Sequence, residues 1–274
     1  MEMMKMGIKI GLDVGGSTTK IVGMKEDKVL YKTVVKATDP VTSAFGAVGK
    51  LVNDNGLKLD EIDQINITGV GASFPAGAIL GIKTVVIKEF DATGRGGLFL
   101  SGLDHAVVVS MGTGTAYLDA TNTGVRHIIG SGVGGGTIVG LCNSILGMDD
   151  AKKLSELAET GDLNAVDLTI GDITQADIPG LPMHATASNF GKAADDLRRE
   201  DKAAGIFNLV FQSIGTMSVL SSRIAGINDI VFTGQLAEFR QCSEVLDAFT
   251  ELYNVNFIVP DDAVFGTAIG ACIA

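Results

Sequence analysis

The sequence predicts an α/β protein of two similar subdomains facing each other across a cleft, and three observations carry that prediction. Residues 8–24 follow a plan of strand, glycine turn and strand. Residues 107–120 repeat the plan about a hundred positions later, as a duplicated unit would. Around these hairpins lie segments with the apolar spacing of helices, the longest of them at 203–226.

In the first hairpin Ile8, Ile10 and Leu12 alternate with Lys9, Gly11 and Asp13, the period-two signature of a strand with one buried face. Asp13 is therefore expected on the open face. Gly15 and Gly16 allow positive φ and close backbone approach, so the amides of Gly16, Ser17 and Thr18 could converge on an anion. Lys20, on the return strand, adds positive charge. A carboxylate and a lysine flanking such a bend suit a nucleotide with its Mg²⁺, an ion that keeps much of its water and needs few carboxylates. Gly-Gly between apolar runs is equally what a plain hairpin turn looks like. No G-x-x-x-x-G-K-[ST] occurs anywhere, so phosphate binding here uses a geometry other than the Walker A loop.

The chain has 274 residues, 46% hydrophobic, with 36 glycines, enough for two moderate domains with cores and many tight turns. Its net charge of −11 argues against a nucleic-acid partner or an anionic membrane surface, both of which need a concentrated cationic face. The opening MEMMKM is not a long apolar segment, and no later run reads as a membrane span, so a soluble cytoplasmic protein is expected. Cys142, Cys242 and Cys272 are widely separated in apolar surroundings, which suggests core residues rather than disulfides or a zinc site.

Further along, Val29 to Ala37 reads as a strand and Thr42 to Asn53 as a helix with Phe45, Val48, Leu51 and Val52 on one side. Ile65 to Thr68 is a short strand ending in the glycine turn TGVGA. In TVVIKEFDATGRG, Val85, Ile87 and Glu89 fall on one face of a strand, placing the carboxylate at its C-terminal end, where open α/β sheets bind ligands. A glycine-spaced helix at Thr93 to Leu103 follows, and Asp104 to Ala106 reads as a boundary, dividing the chain into residues 1–104 and 105–274. Gly130 to Thr137 is a glycine-rich turn feeding a helix, a sound anion or ribose platform. Its G-x-G-x-x-G is weak as a dinucleotide fingerprint, lying mid-chain without the expected partner acid. From Asp149 to Gly226 the character is mostly helical, with Ile206, Leu209, Val210, Ile214, Met217, Leu220 and Ile224 as one apolar stripe, core or subunit interface. Ile230 to Leu236 is a strand into a third glycine turn, and FGTAIGACIA a small-residue helix.

With these pieces the sequence resembles the actin-like, hexokinase-like and heat-shock ATPase superfamily, and within it the type II pantothenate kinases. The resemblance covers essentially the whole chain. It rests on DVGGSTTK at 13–20, TGVGA at 68–72, KEFDA at 88–92, SMGTGT at 110–115, GSGVGGGT at 130–137, TASNFG at 186–191, VFTG at 231–234 and FGTAIGA at 265–271. It implies two ribonuclease-H-like subdomains with an interdomain nucleotide cleft, and phosphorylation of pantothenate by ATP and Mg²⁺ as the entry to coenzyme A synthesis. It also implies a homodimer through the long helix, in a helical insertion at about 143–228.

Residue by residue, the resemblance makes Glu89 the general base. Asp13, Gly15, Gly16, Ser17, Thr18 and Lys20 would grip phosphates and Mg²⁺, with Asp13 toward the metal. Gly112, Thr113 and Gly114 would act from the opposing lobe, and Gly134, Gly135, Gly136, Gly234 and Gln235 would face the adenosine. Asp91 suits a helix cap. The family places a pantothenate-holding arginine where this chain has His127, with Arg126 one residue earlier, so Thr113, Arg126 and His127 are the candidate acceptor contacts. Other readings are a kinase for another small hydroxylated metabolite such as an amino sugar, a non-catalytic nucleotide or coenzyme A sensor, and, most weakly, an NAD-binding oxidoreductase.

Overall fold

The structure, a computed structural model, describes residues 7–37, 39–71, 77–176 and 178–274. Ala72, the last residue of the TGVGA turn, and the opening MEMMKM lie outside the described residues. The first half runs β1 (Ile8–Val14), β2 (Thr18–Lys25), β3 (Lys28–Lys36), α1 (Pro40–Asp54), β4 (Ile62–Thr68), β5 (Thr84–Val86) and α2 (Glu89–Ser101). The second runs β6 (His105–Met111), β7 (Thr115–Thr121), β8 (Gly124–Ser131), α3 (Gly135–Leu146), α4 (Ala151–Ala158), β9 (Leu168–Thr169), α5 (Ile170–Ile173), β10 (Thr186–Ser188), α6 (Arg199–Ala225), β11 (Asp229–Thr233), α7 (Arg240–Tyr253), β12 (Asn256–Ile258) and α8 (Gly266–Ile273).

The duplication read from the two hairpins extends to whole sheets. The first is ordered β3-β2-β1-β4-β5 and the second, read from its other edge, β8-β7-β6-β11-β12. Both carry two antiparallel pairings followed by two parallel ones. Each therefore ends its central hairpin at the edge where its parallel strands also end, the ligand-binding edge of an open sheet.

Helices cover both faces of the first sheet. Ile10, Leu12, Val14, Ile65 and Ile67 pack on Ala44, Ala47, Val48 and Leu51 of α1, whose first turn is capped by Asp39 accepting from the Thr42 amide. The other face, expected to be open, is covered by α8, and a Cβ on Gly11 would lie 1.9 Å from the Ala268 carbonyl oxygen. Asp13 accordingly is only 8% exposed rather than solvated.

The two halves exchange helices. Leu98 of α2 packs with Ala106, Val108, Leu118 and Val231 of the second sheet, while Ala268, Ile269 and Cys272 of α8 pack with Val22 and Met24 of the first. The sequence break at residue 104 is thus crossed in space by both helices. They touch each other backbone to backbone: a Cβ on Gly96 would sit 1.8 Å from the Gly266 oxygen, and one on Gly270 1.7 Å from the Ala92 oxygen. Only glycine fits at these two points.

Residues 149–226 are less helical than their composition suggests. Between α4 and α6 lie the short α5 and the two-stranded β9–β10 pairing. Buried Asp167 organises this stretch, accepting from the Phe190 amide at 2.7 Å, Asn208 Nδ2 at 2.6 Å and Asn189 Nδ2 at 3.3 Å, which gives the TASNFG motif a structural role. The α6 stripe divides: Ile206, Val210 and Ile214 are core, whereas Leu220 and Ile224 are 52% and 63% exposed. By length and hydropathy α6 could cross a membrane, but 67% of its apolar window is buried inside the protein, so it is an interior helix here. The three cysteines are buried and free, and burial pushes the Cys142 thiol up to about 11 and those of Cys242 and Cys272 to about 12.

Candidate active site

The central hairpins of the two sheets point their bends into one cleft of about 620 Å³. From the first lobe come Gly15, Gly16, Ser17 and Thr18, with Asp13 and Lys20 at the base of the bend and Val70 beside them. From the second come Ser110, Gly112, Thr113, Gly114, Gly130, Ser131, Gly132 and Gly234. Glu89 and Thr267, at the N-terminal turns of the exchanged helices, stand between the lobes.

The first bend closes through the Gly15 amide donating to the Thr18 oxygen at 3.2 Å. Among the described residues no backbone carbonyl takes up the amides of Gly16 or Ser17, nor those of Thr113 or Gly114 in the facing bend. Successive free amides at a bend form a concave donor surface suited to an anion. Neither Gly15 nor Gly16 uses positive φ, contrary to expectation. Gly15 is required because a Cβ would meet the Thr18 oxygen at 2.8 Å, whereas a Cβ on Gly16 would meet no protein atom within 4 Å. Positive φ occurs instead at Gly69 (93°) and Gly234 (95°); the latter turns against the Met111 backbone, 2.4 Å from where a Cβ would be.

Asp13, Lys20 and Glu89 are the charged side chains lining the cleft among the described residues. Lys20 Nζ lies 3.8 Å from Asp13 Oδ2. Burial pushes the Asp13 carboxyl above its ordinary range, with Lys20 opposing. Desolvation likewise raises Glu89, the Asp13 charge adds to that, and Lys20 again opposes. Glu89 remains exposed to the cleft. It is not at a strand end: β5 stops at Val86, Lys88 is the N-cap, and Glu89 opens α2. Asp91 lies inside that first turn and caps nothing, and α2 starts four residues before the expected Thr93.

Three expected groups fall elsewhere. Gly134, Gly135 and Gly136 do not line the cleft. The Gly135 and Gly136 amides donate to the oxygens of Gly112 and Thr113, both at 2.9 Å, and a Cβ on Gly134 would be 2.7 Å from the Thr113 oxygen, so this run buttresses the second bend from behind. Gln235 turns aside to Glu238, 3.0 Å away. Arg126 faces away from α2, held 2.7 Å from Asp119, which also takes His105 at 2.8 Å. His127 points the other way and stacks on Phe90, ring centroids 4.6 Å apart and planes within 2°. Strand alternation makes the two adjacent side chains choose opposite faces.

Val70, Ser110 and Thr267 line the cleft without having been singled out in the sequence, and of the Gly130 to Thr137 platform it is Gly130, Ser131 and Gly132, not Gly134 to Gly136, that reach it. Gly130, Ser131 and Gly132 open the GSGVGGGT motif, ahead of its helical end. The usable signal was the strand preceding it, since β8 runs to Ser131 and delivers those residues to the sheet edge. Described residues contain no group of three or more His, Cys, Asp or Glu side chains able to enclose a metal.

A two-sheet duplicated fold with bends converging on a cleft is the actin-like ATPase fold, and solved structures share it. The activator of the 2-hydroxyisocaproyl-CoA dehydratase from Clostridium difficile with bound ADPNP superposes with a TM-score of 0.68 at 18% identity, covering 97% of this chain and 93% of that one. A ROK family glucokinase from Streptomyces griseus in complex with glucose and AMPPNP gives 0.64 at 13%, covering 97% and 98%. Within that class the chain belongs to the Fumble family, which matches residues 105–256. Proteins named type II pantothenate kinase from Staphylococcus epidermidis (28% identical, 96% of this chain and 99% of that protein), Bacillus cereus (29%, 96% and 97%) and Staphylococcus aureus (29%, 96% and 98%) are similar over nearly their full length.

Proposed function

We propose that this chain is an ATP-dependent pantothenate kinase, moving the γ-phosphoryl of ATP to the primary hydroxyl of pantothenate to give 4′-phosphopantothenate and ADP, the first step of coenzyme A synthesis. One observation carries the reading: in a member of this family, both glycine bends, Asp13, Lys20 and Glu89 meet in a single cleft.

Phosphoryl transfer asks a protein mainly for positioning and charge neutralisation. The free amides at Gly16 and Ser17 and at Thr113 and Gly114 hold the phosphates from two sides, and Lys20 adds a mobile positive charge. Gly234, whose left-handed turn admits no side chain, borders the nucleoside end. Glu89 accepts the proton of the attacking hydroxyl; its raised pKa brings it nearer the range in which a general base is effective. His127, stacked beside Glu89 on Phe90, borders the acceptor together with Thr113, and Arg126 plays no part while Asp119 holds it.

With no enclosing cluster of ligands among the described residues, Asp13 suits Mg²⁺ arriving with the triphosphate and keeping most of its water, and would hold that hydrated ion. When bound, the ion neutralises charge on the β- and γ-phosphates. Two copies pair through α6, where exposed Leu220 and Ile224 extend the buried stripe, and the protein works in the cytoplasm without nucleic acid or membrane partners.

The test is ADP release by purified protein offered pantothenate, pantetheine, N-acetylglucosamine or no acceptor. Turnover with pantothenate is expected. Turnover only with another acceptor would assign a different kinase branch, and none at all would favour a sensor.

A further inference from the structure

Two buried side-chain oxygens have no hydrogen-bond partner among the described residues, Thr19 Oγ1 and Thr68 Oγ1. Both residues are 0% exposed. An unpaired buried hydroxyl weakens the folded state, and each such group calls for an explanation.

The two lie on opposite faces of the first sheet. Thr19 is paired in register with Val14, whose side chain belongs to the α1 core. Thr68 is paired with Asp13, and Asp13 with Lys20, so the row Lys20, Asp13, Thr68 crosses three strands on the cleft side. Neighbouring strands stand about 4.8 Å apart, so the Thr68 and Asp13 side chains are adjacent. The carboxylate is already shared out along this row. Its Oδ2 is the atom 3.8 Å from Lys20, while Oδ1 leans the other way, 2.7 Å from where a Cβ on Gly69, the residue after Thr68, would be.

We infer that Thr68 is a positioning residue whose hydroxyl donates to Asp13 Oδ1 when Lys20 leaves Asp13 for a bound phosphate. The inference rests on the nucleotide reading of the cleft. At 3.8 Å the lysine contact is a loose one that a phosphate would outcompete. Its departure would leave a carboxylate that is 8% exposed facing only the water shell of the ion that arrives with the nucleotide, with no protein donor. Threonine supplies one by turning between staggered rotamers, with no backbone movement. The hydroxyl unpaired without nucleotide becomes paired with it, so its cost in the free protein is returned as binding.

The measurement is MgADP affinity by calorimetry for the wild type, Thr68→Val, Thr68→Ser and Thr19→Val, with thermal unfolding of each ligand-free protein. Thr68→Val keeps the shape but loses the donor, and should weaken MgADP about tenfold, as loss of one hydrogen bond to a charged group does. Its ligand-free unfolding temperature should be unchanged or higher. Thr68→Ser should bind within about twofold of wild type, and Thr19→Val, on the far face, should bind as wild type does. Wild-type affinity in Thr68→Val overturns the inference. So does a Thr68→Ser as weak as Thr68→Val, equal weakening by Thr19→Val, or a fall in unfolding temperature that accompanies the loss of affinity. A wild type that binds no MgADP refutes the nucleotide reading itself, and this inference with it.

Discussion

Glu89 reads in the sequence as a strand-end carboxylate, and the structure makes it the first residue of a helix instead. Its function depends on the proton it lacks. A base is active only when ionised, and burial together with Asp13 raises the Glu89 pKa while Lys20 lowers it. Turnover should therefore fall as pH drops through a value above the ordinary 4.5 of a glutamate. Lys20→Ala removes the opposing charge and should move that acid limb to higher pH in a kcat/KM profile. Glu89→Gln should cut kcat by about a hundredfold or more while sparing ATP affinity, the range typical of general-base loss. A near-normal rate would remove Glu89 from the chemistry. Arg126 and His127 give a second contrast: Arg126→Ala should leave the pantothenate KM within about twofold, since an exposed ion pair contributes little, whereas His127→Ala should raise it.

At the scale of elements, glycine decides how closely backbone can approach backbone. Gly134→Ala would drive a methyl into the Thr113 oxygen and the Gly114 Cα, displacing the second bend and raising the ATP KM several-fold with little loss of folding. Gly96→Ala or Gly270→Ala strikes the α2–α8 contact, where overlap is with backbone that cannot turn aside. A loss of about 3 kcal/mol is expected, lowering the unfolding temperature by roughly 6–12 °C. These motifs also show what was legible. The glycine bends and the period-two strands were readable because turn chemistry and side-chain alternation are local. The start of α2 was not, because TVVIKE has strand composition and the helix begins where packing on the second sheet begins. Nor was the buttressing role of Gly134 to Gly136, since a free amide and one bonded to Gly112 or Thr113 look alike in sequence.

At the scale of the molecule, the duplication was visible in two hairpins, but the exchange of α2 and α8 between lobes was not, because it is set by contacts between residues far apart in the chain. The exchange has a mechanical consequence. Glu89 begins a helix packed on the second sheet, whereas Asp13 and Lys20 belong to the first, so the spacing of base and phosphate cradle depends on how the lobes sit together. Association would act at the same scale. If α6 pairs two copies, Leu220→Asp with Ile224→Asp should give a monomer in sedimentation analysis, and an unchanged mass would place the interface elsewhere.

The central claim is that this cleft passes a phosphoryl group to the hydroxyl of pantothenate, and phosphorus NMR of a reaction containing protein, ATP, Mg²⁺ and pantothenate tests it most directly. The account predicts a new phosphate-monoester resonance growing as the γ-phosphate signal declines, and its absence with Glu89→Gln. Loss of the γ-phosphate signal to inorganic phosphate alone, or an unchanged spectrum, would contradict it.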